Sequence, residues 1–305
     1  MDLSERPAPA LRSVALAPAK INLALHVTGR RENGYHDLDS LVVFAEHGDR
    51  LWIEAADADR LTIDGPFAAG LPLDRGNLVL RALDLARSVA ARSGVVLPPL
   101  GIHLEKNLPL ASGIGGGSAD AAALLRLVAE RWPALGAALA DEALALGADV
   151  PMCLSGQAAR VRGVGEIAAP VPRLPRFALV LVNCGAPVST PAAFAALERR
   201  DNPALPPLPE AGFGDLDALI AYLRQTRNDL EAPALGLVPE IVDVSAALAG
   251  EGALFQRMSG SGATVFAIFE TDAAAQAAVS RLQSRHPRWW AMASSVAERV
   301  VRPCP

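Results

Sequence analysis

A chain of 305 residues is longer than one hydrophobic core usually serves, so two domains are expected. Alanine swells the hydrophobic share of 51%, and the longest clean apolar run, "FALVLV" at 177–182, falls far short of the roughly 20 residues of a membrane-spanning helix. A net charge of −5 argues against a general nucleic-acid binder, and Cys153, Cys184 and Cys304 are too scattered for a disulfide framework or a cysteine metal site.

The first 20 residues are proline-rich and charged and do not read as a secretory signal, so a cytoplasmic protein is expected. Of 28 basic residues only two are lysine, Lys20 and Lys106. Arginine's flat fork does not replace a compact ammonium beside a phosphate or a catalytic carboxylate, which draws attention to both.

"KINLALHVT" alternates with period two, which predicts a half-buried strand. Ile21, Leu23, Leu25 and Val27 form its core face, and Lys20, Asn22, Ala24 and His26 the face directed away from the core. "GRRENGYHDL" follows, with Asn33-Gly34 as a turn signal that places Tyr35 and His36 at a loop tip. "SLVVFAEHGDRLWIEAA" predicts two strands broken at His47-Gly48-Asp49, and "NLVLRALDLARSVAARSG" a helix ending at Gly94. "GIHLEKNLPL" is strand-like up to Pro109.

Next comes "LPLASGIGGGSADAAALLRL", with four glycines, Gly113, Gly115, Gly116 and Gly117, within five residues. A strong helix former follows, with Ser118 placed to cap its start. Strand, glycine loop and helix in this order predict an anion site, where bare backbone amides approach a ligand and the helix N-terminus favours negative charge. Phosphate is the usual anion. Asp120, in the helix's first turn, opposes that reading unless its side chain turns away. The loop lacks the G-K-S/T ending of nucleotide-binding P-loops, the register of the dinucleotide fingerprint fails at Ser118, and no H-R-D or D-F-G of a protein kinase occurs.

"ALGADVPMCLSG" sets Asp149 two residues before Pro151. A carboxylate there could accept a hydroxyl proton, with Lys20 keeping it ionised and facing a transferring phosphoryl group. Taken singly, Asp149 also reads as a turn residue and Lys20 as an exposed strand lysine. A second domain is expected to begin near Gly165. It contains the buried-strand run "FALVLVNC", the proline-rich loop "NPALPPLPEAG", helical spacing between Ala234 and Gly250, a strand–loop–strand "GALFQRMSGSGATVFAIFE", and a final helix "AAAQAAVSRLQSR". Strands and helices mixed without regular βαβ repetition indicate α+β.

Together "PAKINLALHVTGRRENGYHDLDSL", "PLASGIGGGSADAAALL", "GADVPMCLSG", "RNDLE" and "MSGSGATVFAIF" resemble the GHMP kinases, small-molecule kinases named after galactose, homoserine, mevalonate and phosphomevalonate. The likeness runs in order from 18 to 269, and "PAKIN" with "GYH" and "GADVP" narrows it to the branch acting on a cytidyl-diphosphate sugar alcohol. A homoserine- or mevalonate-type kinase and a non-catalytic sugar-binding member of the fold are the alternatives. The resemblance implies a two-domain α+β architecture, with a mixed-sheet ATP-binding domain at 1–165, a ferredoxin-like domain at 166–305 and the active site in the cleft between them. It implies ATP and Mg2+, a small-molecule substrate and no nucleic-acid or membrane partner, in a monomer or weak homodimer.

By the same resemblance Lys20 and Asp149 are the catalytic pair. ATP lies along Pro109, Leu110, Ala111, Ser112, Gly113, Ile114, Gly115, Gly116, Gly117, Ser118 and Ala119. The substrate is held by Asn22, Tyr35, His36, Phe194 and the loop Gly260, Ser261, Gly262, which faces its diphosphate. Ser118 is the one candidate metal ligand. Ala119 departs from the pattern, since many relatives carry a second serine there.

Overall fold

The computed structural model describes residues 13–296. Strands β1 (Ser13–Arg30), β2 (His36–Ala55) and β3 (Arg60–Asp64) come first, then helix α1 (Leu78–Arg92) and β4 (Leu100–Glu105). The glycine loop leads into α2 (Gly116–Arg131), followed by α3 (Gly136–Glu142) and α4 (Val150–Ser155). A hairpin, β5 (Ala159–Gly163) and β6 (Ile167–Pro170), precedes β7 (Phe177–Asn183). Four helices follow: α5 (Thr190–Ala195), α6 (Leu216–Leu223), α7 (Glu231–Leu237) and α8 (Glu240–Ala249). The described chain closes with β8 (Phe255–Met258), β9 (Val265–Phe269), α9 (Asp272–Arg285) and β10 (Trp290–Val296). This is the expected α+β arrangement, a mixed sheet with helices packed against it. Cys153 and Cys184 are free thiols, and Cys304 lies outside the described residues. No helix among the described residues is long and apolar enough to cross a membrane.

β2 is the spine. Along its 20 residues it pairs antiparallel with β1, with β5 through 38–42 and with β4 through 50–55, and it meets β10 at Ala45. β3 joins β4 in parallel across the α1 crossover, whose first turn is capped by the Asn77 side chain. Such a cap contributes about 1 kcal/mol. On the other flank β10, β7, β9 and β8 continue the sheet antiparallel. Residue 165, where the domain division was expected, falls in the turn between β5 and β6.

Three expectations are corrected. The break at His47-Gly48-Asp49 is absent, and β2 runs straight through it. A Cβ on Gly48 would sit 2.0 Å from the Ala17 carbonyl oxygen, so the glycine admits a closely approaching strand rather than a turn. The polar face of β1 is not turned to solvent: Lys20 is 7% exposed, Asn22 4% and His26 1%. That face is covered because the Lys20 N–H donates to Ile114 O in the glycine loop and Leu25 pairs with 227–229. Ser118 does not cap α2. The helix starts three residues earlier than that cap would set, with Gly115 at the N-cap in the left-handed region (φ 67°) that glycine enters without penalty.

Candidate functional site

One cleft of roughly 1200 Å³ gathers most of the residues singled out by the sequence. A site for one drug-sized ligand usually occupies about 300–1,000 Å³, so this cleft has room for two. On its wall the Lys20 Nζ donates to Asp149 Oδ2 at 2.7 Å. β1 supplies the lysine, and Asp149 holds the N-cap position of α4, where Pro151 suits the helix's first turn. Lys20 is buried while the Asp149 side chain is 36% exposed, so the pair has one member in the wall and one facing the cleft. Cys153, one turn along α4, is no nucleophile: burial first, and the Asp149 charge second, push its thiol up to about 12.

The glycines of the loop divide by what surrounds them. A Cβ on Gly113 would lie 2.5 Å from Ser259 O and 2.7 Å from Gly262 N. On Gly115 it would meet the Lys20 side chain at 3.2 Å, and on Gly116 the Lys106 Nζ at 3.1 Å. Only Gly117 of the four has nothing within 4 Å, in open cleft space. The first amides of α2, at 116–118, receive no side-chain cap and have no partner within the helix. They are free for an anion. Ser112, Gly113 and Ser118 line the cleft beside them, as do Pro109, Leu110 and Ala111 further along. Ile114 and Ala119 have their side chains in the core and do not line it.

Beneath Gly116 lies a charged cluster whose members the sequence had not linked. Lys106 Nζ donates to Asp49 and, at 2.7 Å, to Asp120 Oδ2. Asp49 is fully buried, and its Oδ1 accepts the N–H groups of Asn107 at 2.5 Å and Leu108 at 2.8 Å. It thereby fixes the chain just ahead of the glycine loop. Burial works to strip the Lys106 proton, but the Asp120 and Asp49 charges outweigh it and hold the ammonium above its ordinary pKa. Burial, with the Asp49 charge beside it, shifts the Asp120 carboxyl upward, and the Lys106 charge opposes that shift. Asp120 points inward, toward this lysine, which answers the objection its position raised. The signal for Asp49 was the Gly-Asp pair that read as a turn.

Tyr35, also on the cleft lining, is 62% exposed on its loop, with its N–H held by Asn33 Oδ1 at 3.2 Å. His36 stacks on Phe194 with ring centroids 4.7 Å apart, and its buried Nε2 has no partner. Burial, then the charges of Arg30 and Arg200, lower the His36 pKa and favour the neutral ring. Asn22 donates to Ser40 Oγ at 2.8 Å while its own Oδ1 is unpartnered. Gly260 and Ser261 line the cleft, the serine bonded to Thr190 Oγ1 at 2.8 Å. Gly262 does not: a Cβ there would run into Met258 Sδ at 2.7 Å, in the core.

The "RNDLE" segment explains how that second loop is held. The Asn228 amide donates to Met258 O and to Gly260 O, each at 2.8 Å, and its Oδ1 accepts the Leu230 N–H at 3.0 Å. His26 is structural. Its Nδ1 meets Pro203 O at 2.9 Å, and its Nε2 accepts the Arg227 N–H at 3.1 Å.

No group of three or more His, Cys, Asp or Glu suited to a metal occurs among the described residues. Magnesium needs no such group, since it keeps several waters and binds through one or two protein oxygens together with substrate phosphates. The Ser118 hydroxyl, on the cleft wall, is such an oxygen.

Known proteins resemble this chain in sequence and in fold. The family model "GHMP kinases N terminal domain" matches residues 77–157, and "GHMP kinases C terminal" matches 194–288. A relative from Brucella abortus, named 4-diphosphocytidyl-2-C-methyl-D-erythritol kinase, is 52% identical over 92% of this chain and 93% of its own. One of the same name from Paracoccus denitrificans is 54% identical over 92% and 96%. A crystal structure of 4-(cytidine 5'-diphospho)-2C-methyl-D-erythritol kinase superposes with a TM-score of 0.74 at 35% identity, covering 93% of this chain and 99% of that one. Homoserine kinase from Cytophaga hutchinsonii shares the fold, with a TM-score of 0.67 at 18% identity over 98% of each chain. With both family models matched in order and relatives alike over nearly its whole length, the chain belongs to the GHMP kinases.

Proposed function

We propose that the protein transfers the γ-phosphoryl group of ATP to the 2-hydroxyl of 4-diphosphocytidyl-2-C-methyl-D-erythritol, giving the 2-phosphate and ADP, in the non-mevalonate synthesis of isoprenoid precursors. The observation that carries this reading is the Lys20–Asp149 pair, 2.7 Å apart, in the same cleft as the uncapped start of α2. Asp149 accepts the hydroxyl proton as the oxygen attacks phosphorus, and Lys20 orients Asp149 and balances charge on the phosphoryl group in transfer. The loop 109–119 holds the nucleotide, its phosphates on the 116–118 amides over Gly117. Asn22, Tyr35, His36, Phe194 and the loop 260–262 hold the cytidyl substrate. Tyr35 and Phe194 offer faces to the base, and the unpartnered His36 Nε2 offers it a hydrogen bond. Bound at Ser118 together with ATP, magnesium would neutralise charge on the β- and γ-phosphate oxygens. In this reading residues 1–165 form the ATP-binding domain, which also carries Asn22, Tyr35 and His36 of the substrate end, and 166–305 close that end. The enzyme works in the cytoplasm on small molecules, as a monomer or weak homodimer.

The test is ADP release with the cytidyl substrate against its uridyl analogue, with and without magnesium. Turnover is expected only with the cytidyl compound and the metal. Asp149→Asn keeps size and hydrogen bonding but accepts no proton, so kcat should fall about 10²–10⁴-fold, roughly 3–5 kcal/mol of barrier. Near-normal kcat in that variant, with ATP saturating, would remove the base role and leave Lys20 as the main electrostatic catalyst.

A further inference from the structure

A buried arginine on α2 touches both elements that carry the Lys20–Asp149 pair. Arg126 is 8% exposed, its Nη1 donating to Cys153 O at 2.7 Å and its Nη2 to Leu16 O at 2.5 Å. Cys153 lies in α4, one turn after Asp149, and its N–H donates to Asp149 O at 3.0 Å. α4 has six residues, about 9 Å of helix, so a shift at Cys153 reaches Asp149 undamped. Leu16 lies on β1, four residues before Lys20 and on the far side of the register shift between Pro18 and Lys20. The pairing with β2 is irregular there, so the strand's position depends on what else grips it.

We propose that Arg126 is the positioning residue of the Lys20–Asp149 pair: one planar guanidinium sets the separation of α4 and β1 and hence the alignment of ammonium and carboxylate. The fork suits this task, because donors fixed in one rigid plane set two carbonyls relative to each other, where a lysine's rotating ammonium on a flexible stem leaves their separation free. The same helix begins at the glycine loop, so the loop amides and both members of the pair are referred to one rigid body. The inference rests on the kinase reading for its kinetic consequence, but not for its geometric one.

The experiment compares Arg126→Met, which keeps the stem and loses every donor, with Arg126→Gln, which keeps an amide donor. In folded Arg126→Met, kcat should fall about 10- to 100-fold, as a misplacement near 1 Å produces, with KM for ATP and for the cytidyl substrate little changed. Arg126→Gln should recover part of that loss. Within an Asp149→Asn background, Arg126→Met should cost little more, since the pair it aligns is already disabled. A crystal structure of Arg126→Met should show Lys20 and Asp149 beyond about 4 Å, the limit of an ion pair. That last readout holds whatever the acceptor proves to be, so an inactive wild type would count against the kinase reading alone. The proposal is overturned by an intact ion pair in the variant, by a parallel rise in KM, or by an undiminished loss in the Asp149→Asn background. Unchanged kcat, or failure of both variants to fold, which would make Arg126 a stability residue only, also overturns it.

Discussion

The two glycine loops, 113–117 and 260–262, look alike in sequence and differ in what their glycines face. In the first, Gly117 opens onto the cleft at the start of a helix, while Gly113 is pressed against the second loop. In the second, a Cβ on Gly260 would lie 2.5 Å from Gly113 O, and Gly262 backs onto Met258 and Ala234 in the core. Each loop's tightest glycine serves the other loop. The Ser259 hydroxyl reinforces the contact by accepting the Asn22 N–H and donating to Gly113 O. A glycine cluster therefore marks close approach, and only the space around each position tells whether ligand or protein does the approaching.

Substitution separates the two cases. Gly113→Ala meets backbone atoms at 2.5–2.8 Å and sits at φ 74°, so neither side can yield cheaply. It should cost about 4 kcal/mol or more of stability, seen as a large fall in Tm. A variant with near-wild-type Tm would mean the loops are not locked together. Asn228→Ala strips partners from two carbonyls and one N–H, so a loss of about 2–4 kcal/mol is expected. Because the Asn228 amide holds the second loop and makes no bond to the first, KM for the cytidyl substrate should rise while KM for ATP stays nearly level. Equal rises would merge the two ends of the cleft into one. Gly117→Ala is the converse: nothing opposes the new methyl, and alanine favours a helix by about 0.8–1.0 kcal/mol, so stability should hold or improve. ATP affinity, measured by calorimetry, should fall by about tenfold or more, near 1.4 kcal/mol, if phosphate occupies that space. Unchanged affinity would place the phosphates elsewhere.

The smallest effect is one of pH. The Nε2 of His26 accepts the Arg227 N–H, beside Asn228, and with Arg227 and Asp229 as its charged neighbours burial lowers its pKa below the ordinary 6.5. The folded protein thus binds the proton less readily than the unfolded chain. The histidine's contribution is fully present above 6.5 and is lost as pH falls below it toward the lowered value. Chemical denaturation at pH 7.5 and pH 5.5 should give lower stability at the acid end, and His26→Gln should flatten that difference. An unaltered pH dependence in the variant would assign the acid sensitivity to other groups.

Much of this architecture follows from local pattern. The α1, α2 and α9 helices, the β7 run and the β8–β9 pair are each announced by periodicity and punctuation, because one face of every element must be apolar. The glycine loop at a helix start announces an anion site for an equally local reason: amides there have no partner in the chain. Elements without such a pattern went unread, among them α6, the β5–β6 hairpin and β10. β10 is a strand that begins with Trp290 and gains its identity from pairing with β7.

What the chain by itself determined is the chemistry available: two lysines, an aspartate at a helix start, an aromatic turn and loops bare of side chains. What only tertiary structure decided is which of these meet. Lys20 reads as a solvent-facing strand residue until the glycine loop covers it, and it finds Asp149 across 129 positions of sequence. Asp49 reads as a turn until Gly48 lets β1 close against β2 and leaves the carboxylate buried beneath the loop. Asp120 and Arg126 stand on a helix buried on all sides, where a charge persists only if distant partners reach it, as Lys106 and the carbonyls of Cys153 and Leu16 do. Periodicity records what a residue does with its neighbours in sequence. A buried charge is settled by neighbours in space, because its desolvation is repaid only where the folded chain brings its partners within hydrogen-bond reach.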